Sequence, residues 1–444
     1  MSTNHAPYDL VGIGFGPAGI ALAAALDDAE EALGAGAPRL RRAFLEQAPS
    51  SEWQPGMLLP GTDIQHHFLR DFASPRDPRS RFTFANYLKQ TGRLFPFCLL
   101  GGGWVGRLEW SDYVEWAARQ VSQPVLYNHE AVAVAPLERG GRVAELCVTA
   151  RDLRSGARSE LVARNLVLQT GQVPLVPEEL RPALGKRVFH AASYLPMIQQ
   201  FDPADRPSFA VVGAGQNAGE ILAHLAQAFP RSQIHSVARN SGFRMYNLGQ
   251  FSNEVYFPEE TDYFYGLGRD RRRAVFEEVH STNYACVDPD LSTALYRMFY
   301  EDRFAREPRL HMRKRTAVLA ISEHGGACTL SLEEVHTGER DDLEADVVVL
   351  CTGFQEPRLP HLLEPLRDLV RFDPDGDPEV SRAYRLGLRE DVSAGIWLNG
   401  LTEWRHGISN ATSFSMMALK AEEIREDVAR CLRTRDRSQA VPAP

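Results

Sequence analysis

Residues 8–33, YDLVGIGFGPAGIALAAALDDAEEAL, decide the fold of this chain. An apolar run leads into a glycine turn and then into an alanine- and leucine-rich stretch, which predicts a strand, a tight turn and a helix. The turn matches the G-x-G-x-x-G pattern at Gly14, Gly16 and Gly19. These glycines allow, in order, the turn itself, the approach of a pyrophosphate to the backbone, and close packing of the helix on the strand. The unpaired N–H groups of the helix then face the phosphates, so we predict a dinucleotide site.

A carboxylate that could bind the ribose of this dinucleotide is offered by Glu46, which ends the next strand, RAFLEQ. Its spacing from the glycines is longer than usual because residues 30–40, EEALGAGAPRL, form an insertion. The alternative is that Glu46 is an ordinary surface residue at the end of a strand.

A second segment repeats the strand–turn–helix pattern at residues 209–229, FAVVGAGQNAGEILAHLAQAF. Its G-x-G-x-x-A turn contains Gly213, Gly215 and Ala218, and the following strand ends at Arg239 rather than at an acid. An arginine there suits the 2′-phosphate of NADP, which a guanidinium can bind bidentately. Two dinucleotide units imply FAD at the first and NADPH at the second. The sequence thus predicts an α/β fold with two Rossmann-like domains and a smaller substrate-binding region.

The composition is that of an ordinary globular chain of two or three domains, with 444 residues, 24% charged residues and a net charge of −9. No basic stripe is present, so we expect no nucleic-acid partner, and Arg271–Arg273 are interpreted as a solvated helix face. No apolar run is long enough to span a bilayer, and the first residues lack the features of a signal peptide. Six scattered cysteines without a CxxC pair indicate a reduced, cytoplasmic protein with no disulfide framework, metal site or redox dithiol.

Residues 64–72, IQHHFLRDF, place two histidines and an arginine among apolar residues. One interpretation is a half-buried strand with its polar residues on the solvent side, and the other is a site for an anion. On a strand His66 and His67 would point to opposite faces, so at most one would face a cavity. We interpret both as packed, neutral histidines rather than metal ligands.

Most of the chain resembles the flavin-dependent N-hydroxylating monooxygenases, typified by ornithine and lysine N-hydroxylases of siderophore biosynthesis. The segments that carry the resemblance are GIGFGPAGIALA, WQPGML, IQHHFLRDFASPRDPRSRFTFANYL, WSDYVEWAA, VVGAGQNAGE, FSNEVYFPE, STNYACVD, VVVLCTGF and RHGISNATSFSMMA. It implies an enzyme that uses FAD, NADPH and O2 to hydroxylate the primary amine of an amino acid through a C4a-hydroperoxyflavin. The amine reacts through its lone pair, so it must be neutral, and water must be excluded.

The resemblance also implies roles for individual residues. It places Gln65 near flavin and substrate, while Asn253 and Asn283 contact the substrate amino acid; as alternatives, the two asparagines are a turn residue and a helix cap. We expect Gln65, Arg70 and Asn283 to be catalytic. The implied cofactor contacts are Gly14, Gly16, Pro17, Gly19, Glu46, Trp53, Gln65, Gly213, Gly215, Gln216, Asn217, Arg239, Thr352, Gly353 and Ser409.

Three positions depart from the family pattern and bear on the substrate. Arg70 stands where ornithine hydroxylases usually have the lysine that binds the substrate carboxylate, and diamine-specific relatives tend to lack this cation. Arg405 replaces a small polar residue, and Asn410 replaces an acid, so each makes its surroundings more positive. Arg70 and Arg405 together predict an acidic substrate, L-aspartate oxidised towards nitrosuccinate. The alternative is an L-ornithine N5- or L-lysine N6-hydroxylase.

Two other classes fit the sequence less well. A Baeyer–Villiger or sulfoxidising monooxygenase would carry F-x-G-x-x-x-H-x-x-x-W, but here Gly185 lies one position too far from His190 and Tyr194 replaces the tryptophan. A non-enzymatic nucleotide sensor would need neither IQHHFLRDF nor STNY. A homo-oligomer is compatible with the sequence.

We expect a discontinuous FAD-binding domain at residues 1–200 and 343–444 and an NADPH-binding domain at residues 205–342. The substrate region is expected from residues 51–115, 245–300 and 402–415. The chain is expected to end in an amphipathic helix followed by a frayed tail, RSQAVPAP.

Overall fold

Two parallel five-stranded sheets form the frame of the computed structural model, which describes residues 6–34, 36, 39–101, 105–410 and 413–440, and only the backbone of residues 435–440. The strands of the first sheet are β1 (Leu10–Ile13), β2 (Arg42–Glu46), β3 (Val125–Tyr127), β7 (Asn165–Leu168) and β18 (Gly395–Leu398). They lie in the order β18-β7-β1-β2-β3. Apart from the half-buried β3, they are mostly apolar and buried, as expected for a sheet covered on both faces.

The second sheet has the order β12-β11-β10-β16-β9 and is also parallel throughout. At its centre the run of four buried aliphatic residues in β16 pairs with β10 in parallel. The strands are β9 (Val188–His190), β10 (Phe209–Val212), β11 (Ile234–Ala238), β12 (Leu310–Lys314) and β16 (Val347–Leu350).

Each parallel sheet is accompanied by a three-stranded antiparallel sheet. In sequence, this antiparallel sheet comes just before one strand of the parallel sheet. The sheet β4-β5-β6 precedes β7, and the sheet β13-β14-β15 precedes β16. The internal duplication therefore extends beyond the two glycine turns to four strands of each parallel sheet and to the antiparallel sheet, but not to the fifth strand, since β18 follows β7 in the chain whereas β9 precedes β10. The bounds are β4 (His129–Arg139), β5 (Arg142–Asp152), β6 (Arg158–Ala163), β13 (Thr316–His324), β14 (Ala327–Glu334) and β15 (Arg340–Ala345), and a short pair joins β8 (Val173–Pro174) to β17 (Phe354–Gln355).

Strand pairing moves the expected domain boundaries. Strands β9 and β16 belong to the second sheet, although residues 1–200 and 343–444 had been assigned to the first dinucleotide domain. The physical reason is that a strand belongs to the sheet with which it forms hydrogen bonds, and this partner is distant in sequence. We therefore propose that the second domain includes residues 188–190 and 347–350.

Helices cover the two sheets and the edge of the cavity between them. The last helix packs on the first, where Ile424, Val428 and Leu432 share one apolar core with α1. It extends to Ala440, so the first half of the expected tail is helical, and residues 441–444 lie outside the described residues. The helices are α1 (Pro17–Leu33), α2 (Phe84–Gln90), α3 (Leu94–Leu100), α4 (Arg107–Gln120), α5 (Tyr194–Ile198), α6 (Gln216–Ala228), α7 (Gln250–Asn253), α8 (Pro258–Gly266), α9 (Arg269–Val279), α10 (Pro289–Asp302), α11 (Glu403–His406) and α12 (Met417–Ala440).

Two local features differ from one interpretation of the sequence. Residues 64–72 form a series of turns and not the half-buried strand that was one of the two interpretations, because the buried carboxylate of Asp71 accepts hydrogen bonds from the backbone of Ala73, Ser74 and Phe84 and folds the segment back on itself. On α9, Arg272 is only 6% exposed, so the run Arg271–Arg273 is not simply a solvated face. None of the helices in the described parts of the chain is long and apolar enough to cross a membrane.

A buried ion pair joins the two halves of the molecule. Arg107, at the start of α4, makes two 2.7 Å hydrogen bonds with the carboxylate of Glu220 on α6. The same guanidinium donates to the backbone oxygens of Met57 and Asp63, at 3.1 and 3.4 Å. Both side chains of the pair are at most 5% exposed. The pair therefore fixes the irregular segment before α4 against the second dinucleotide unit.

Breaking this ion pair should lower the stability of the protein. Arg107→Met leaves the Glu220 carboxylate buried without its partner, so we expect the free energy of unfolding to fall by about 3–5 kcal/mol in chemical denaturation. Arg119→Met removes the exposed partner of Glu115 on the same helix and should cost about 0.5 kcal/mol or less. Equal losses for the two variants would contradict a structural role for the buried pair.

Candidate active site

A cavity of about 750 Å³ lies between the carboxyl ends of the two parallel sheets. This is the edge at which α/β proteins bind their ligands. The cavity brings together residues of both glycine turns and of the segment at residues 64–72. The predicted site residues that line it are Gly14, Gly16, Pro17, Glu46, Trp53, Gln65, Arg70, Gly215, Gln216, Asn217, Asn253, Asn283 and Gly353.

The first glycine turn fits a pyrophosphate. Gly14 has a φ of +94°, and a Cβ there would lie 2.5 Å from the backbone oxygen of Gln169, so only glycine allows the turn. A Cβ at Gly16 would have no heavy atom within 4 Å, which leaves the space in front of α1 free for phosphate oxygens. Glu46 accepts hydrogen bonds from the backbone N–H groups of Phe15, at 2.6 Å, and Ala48, at 2.8 Å. These bonds fix its carboxylate at the cavity wall, where a ribose hydroxyl could also donate to it.

The second turn is built in the same way. Gly213 has a φ of +136°, and a Cβ there would lie 2.4 Å from the backbone oxygen of Cys351. Gln216 follows at the start of α6; its amide donates to Glu220 at 3.0 Å and accepts from the backbone N–H of Asp288 at 2.9 Å. Its orientation therefore depends on the ion pair between Arg107 and Glu220.

Arg70 offers a positive charge to the cavity. Its Nη1 donates to the Ser415 hydroxyl at 2.9 Å, and its guanidinium lies 5.3 Å from the centre of the Tyr256 ring. Within the described parts of the chain no carboxylate forms an ion pair with it, whereas Arg107, the other arginine of the cavity wall, is paired with Glu220. A ligand carboxylate would therefore find in Arg70 a bidentate partner that no protein acid occupies.

The predicted amide side chains are placed around this arginine. Asn283 accepts a hydrogen bond from the Tyr256 hydroxyl at 3.1 Å. Asn253 is half-buried on α7 and donates to the backbone oxygen of Gly249 at 3.0 Å. Gln65 is bonded through its side chain to Asp288. All three side chains thus have defined orientations at the wall of the same cavity.

One of the two neighbouring histidines faces the cavity. His66 lines it, with its ring stacked on Phe414 at 5.1 Å and edge-on to Trp110, whereas His67 is exposed elsewhere. Burial lowers the pKa of His66 to about 4, so the ring is neutral near pH 7. Nowhere in the described residues do three or more His, Cys, Asp or Glu side chains form a group that could bind a metal ion.

Arg405 does not share this cavity. It lies on α11 beside a separate hollow, with its guanidinium 4.1 Å from the centre of the Tyr265 ring and donating to the Tyr265 backbone oxygen. Asn410 is buried and bonded to the Tyr384 hydroxyl and the His406 backbone oxygen. The prediction of a doubly cationic substrate pocket is therefore wrong, because the side chain of Arg405 packs on an aromatic ring away from Arg70.

Other predicted cofactor residues lie outside the cavity lining. Gly19 and Gly213 allow close packing. A Cβ at Gly19 would lie 2.7 Å from the Gln169 amide, and a Cβ at Gly213 would lie 2.4 Å from the backbone oxygen of Cys351. Ser409 is buried beside Thr261, and the Thr352 hydroxyl donates to the backbone oxygen of Leu175. Arg239 is exposed just after β11, at the carboxyl edge of its sheet. Its contact with NADP stays a prediction.

Sequence reasoning missed several polar residues of the site. Tyr256, Tyr284 and Ser415 line the cavity, and Glu403 lies directly behind Tyr284. Tyr256, Tyr284 and Ser415 each fall in one of the segments that carry the family resemblance, so their position alone could have raised them as candidates, whereas Glu403 lies two residues before the last of these segments. Their partners could not be read from the sequence, because Tyr284 and Glu403 are 119 residues apart.

Comparisons with known proteins identify the family of this chain. Residues 6–356 match the family of L-lysine 6-monooxygenases and L-ornithine 5-monooxygenases. The chain belongs to this family. The L-ornithine N(5)-monooxygenase of Pseudomonas aeruginosa is 33% identical over 94% of this chain and 92% of its own length.

Solved structures of family members have the same fold. The ornithine N-hydroxylase of Kutzneria sp. 744, determined with reduced FAD, NADP+ and L-ornithine, gives a TM-score of 0.90 at 31% identity, covering 96% of this chain and 99% of its own. The L-lysine 6-monooxygenase of Pseudomonas syringae gives a TM-score of 0.85 at 39% identity, covering 96% of this chain and 100% of its own. The chain is a flavin-dependent N-monooxygenase of the ornithine/lysine type that uses FAD and NADPH. The predicted α/β fold with two dinucleotide units is confirmed.

The fit of the first turn to a pyrophosphate can be tested by filling it. Gly16→Ala places a methyl group in space that is free in the protein but needed by the phosphates, so folding should persist while FAD affinity falls roughly tenfold or more. Gly266→Ala, on α8, also meets no heavy atom within 4 Å and should leave flavin binding unchanged. Flavin titration and thermal unfolding of both variants provide the measurement. Unchanged FAD affinity in Gly16→Ala would contradict this placement of the pyrophosphate.

Proposed function

We propose that this enzyme hydroxylates the terminal amine of L-ornithine, at N5. The observation that carries the proposal is the Arg70 guanidinium, which faces the cavity and has no carboxylate partner among the residues that the structure describes. It can bind the carboxylate of one amino acid, while its neighbours Ser415 and Tyr256 fix its orientation. Curated relatives at 33–34% identity act on L-ornithine, as their names state, which favours this substrate.

The acidic-substrate hypothesis loses its main support. L-Aspartate carries two carboxylates and would need a second cation close to the first. Arg405, the residue expected to provide it, lies beside another hollow. An amino acid with one carboxylate and a distal amine matches the charges of the described cavity wall better.

The residues of the cavity would position the substrate as follows. Arg70 binds the carboxylate, and the amide of Asn253 binds the polar groups at the same end of the amino acid, whereas Asn283, bonded to Tyr284, lies towards the distal amine. The aliphatic chain then carries the distal amine away from Arg70. FAD, when bound, supplies the oxygen chemistry after reduction by NADPH. Burial disfavours the ammonium form, and the amine must lose a proton before its lone pair can react.

L-Lysine tests whether the cavity is matched to the chain length of ornithine. A family member solved at 39% identity is an L-lysine 6-monooxygenase, and lysine is longer than ornithine by one methylene. One methylene typically changes selectivity by about 10–200-fold. We expect hydroxylamine product from L-ornithine at the highest kcat/KM, less from L-lysine and none from L-aspartate, measured as product and not as NADPH consumption. Efficient turnover of L-aspartate would contradict the proposal.

The role of Arg70 can be separated from general damage with a substrate that lacks a carboxylate. Arg70→Met should lower kcat/KM for L-ornithine by roughly 10–150-fold, the range expected for a hydrogen bond to a charged group. 1,4-Diaminobutane has no carboxylate and makes no bond to Arg70, so we expect it to be a poor substrate of the wild type. Its kcat/KM in Arg70→Met should stay within about twofold of the wild-type value.

Arg405→Met serves as the matched control for Arg70→Met. It removes an arginine of the same size that lies outside the cavity, so kcat/KM for L-ornithine should be unchanged. Equal losses for the two substrates in Arg70→Met would instead indicate a structural role for Arg70.

A further inference from the structure

A tyrosine of the cavity wall is hydrogen-bonded to a buried glutamate behind it. Tyr284 lines the cavity next to Asn283, and its hydroxyl donates to Oε1 of Glu403 at 2.7 Å. The side chain of Asn283 also bonds this phenol. The hydroxyl therefore lies between an amide of the expected substrate site and a carboxylate behind it.

The carboxylate behind Tyr284 has a second carboxylate as neighbour. Glu403 is 8% exposed, and its backbone N–H donates at 2.7 Å to Oε1 of Glu356. The other oxygen of Glu356 is buried and has no hydrogen-bond partner among the described residues. Neither glutamate forms an ion pair within 4 Å in the described parts of the chain. A carboxylate buried in this way favours its protonated form, so the pair can take up a proton.

The reaction needs such an acceptor. A terminal alkyl amine is an ammonium ion near pH 7, with a pKa of about 10, and only the neutral amine can attack an oxygen atom. The proton has to leave in a cavity from which water must be excluded. A hydroxyl that is already hydrogen-bonded to a carboxylate can move the proton without a water molecule.

We propose that Tyr284 and Glu403 form a proton relay that deprotonates the terminal ammonium of the substrate. The proposal rests on the function proposed above. The Tyr284 oxygen accepts a proton from the ammonium as its own O–H proton moves to Oε1 of Glu403. One N–H bond and one O–H bond break, two O–H bonds form, and the nitrogen keeps its electron pair. Tyr284 is a catalytic residue in this scheme, and Glu403 acts through it.

The charged surroundings explain why this glutamate can accept a proton near neutral pH. Burial raises the pKa of Glu403 to about 8, with a further contribution from the nearby Glu356, while the hydrogen bond from Tyr284 opposes the shift. Burial also raises the pKa of Glu356 to about 7, and the buried cation of Lys420 opposes it. The Glu403 carboxylate also contributes to the raised pKa of Tyr256, after burial of that phenol. An ordinary glutamate, with a pKa of about 4, would be a much weaker base for an amine.

The sign of the pH dependence follows from these values. The relay works only when Glu403 is ionised, so product formation should rise as the pH increases through about 8. Without the relay, deprotonation depends on the amine itself, and the rising limb should move towards the pKa of the free amine, about 10. A purely structural role for these side chains would lower activity at every pH and leave the position of the limb unchanged.

The test compares the holoenzyme with Tyr284→Phe and Glu403→Gln, using the amine that the wild type hydroxylates best. Flavin reduction by NADPH, followed anaerobically, should stay within about twofold, because neither variant removes a group from the cofactor turns. Hydroxylamine formed per NADPH consumed should fall by roughly 10²-fold at pH 7.5 and recover as the pH is raised to about 9.5.

Tyr265→Phe is the matched control for this test. Its hydroxyl donates to the backbone oxygen of Val380 outside the cavity, so its loss should leave coupling and pH profile unchanged. Wild-type coupling in both relay variants, or a loss that pH does not restore, would overturn the relay. Absence of product from L-ornithine in the wild type would overturn the proposed substrate instead, and the relay would be decided with the amine that is turned over.

Discussion

The ion pair between Arg107 and Glu220 is the interaction on which the geometry of the site depends. It joins the segment that carries Gln65 and Arg70 to the helix that begins at Gln216, and it does so with two 2.7 Å bonds out of contact with solvent. Glu220 also orients Gln216, and Gln216 bonds the backbone of Asp288. The substrate wall and the second dinucleotide turn are therefore set by one shared contact, and neither can shift alone.

The parts of the fold that sequence could predict are those fixed by local sterics. At Gly14 and Gly213 the positive φ angles and the backbone oxygens beyond them admit only glycine, and this requirement is visible in the pattern itself. Domain limits depend instead on strand pairing between segments that are distant in sequence, as for β16 with β10. The turns of residues 64–72 likewise depend on a contact outside the segment, since the Asp71 carboxylate accepts a hydrogen bond from the backbone N–H of Phe84.

In the site, too, some features follow from sequence and others do not: the position of a residue in the chain can be predicted, but the direction of its side chain cannot. The resemblance assigns Gln65, Arg70, Asn253 and Asn283 to one site, and all four line the same cavity, while their roles stay predictions. The direction in which a side chain points does not follow from the position of its segment in the sequence. On α11, Arg405 packs on Tyr265 away from the cavity, whereas Glu403, two residues earlier, faces Tyr284. The segment that suggested added positive charge in fact contributes a carboxylate.

The contact between Arg70 and Ser415 spans 345 residues of sequence. Ser415 lies just before α12, the helix that completes the apolar core around α1, and β18 closes the edge of the first sheet late in the chain. During synthesis on the ribosome, the first dinucleotide unit therefore exposes the apolar face of α1 until almost the whole chain has been made. Its folding is dominated by contacts of long sequence separation, which form slowly, and a nascent chain of this protein has a correspondingly long interval in which chaperones can bind it.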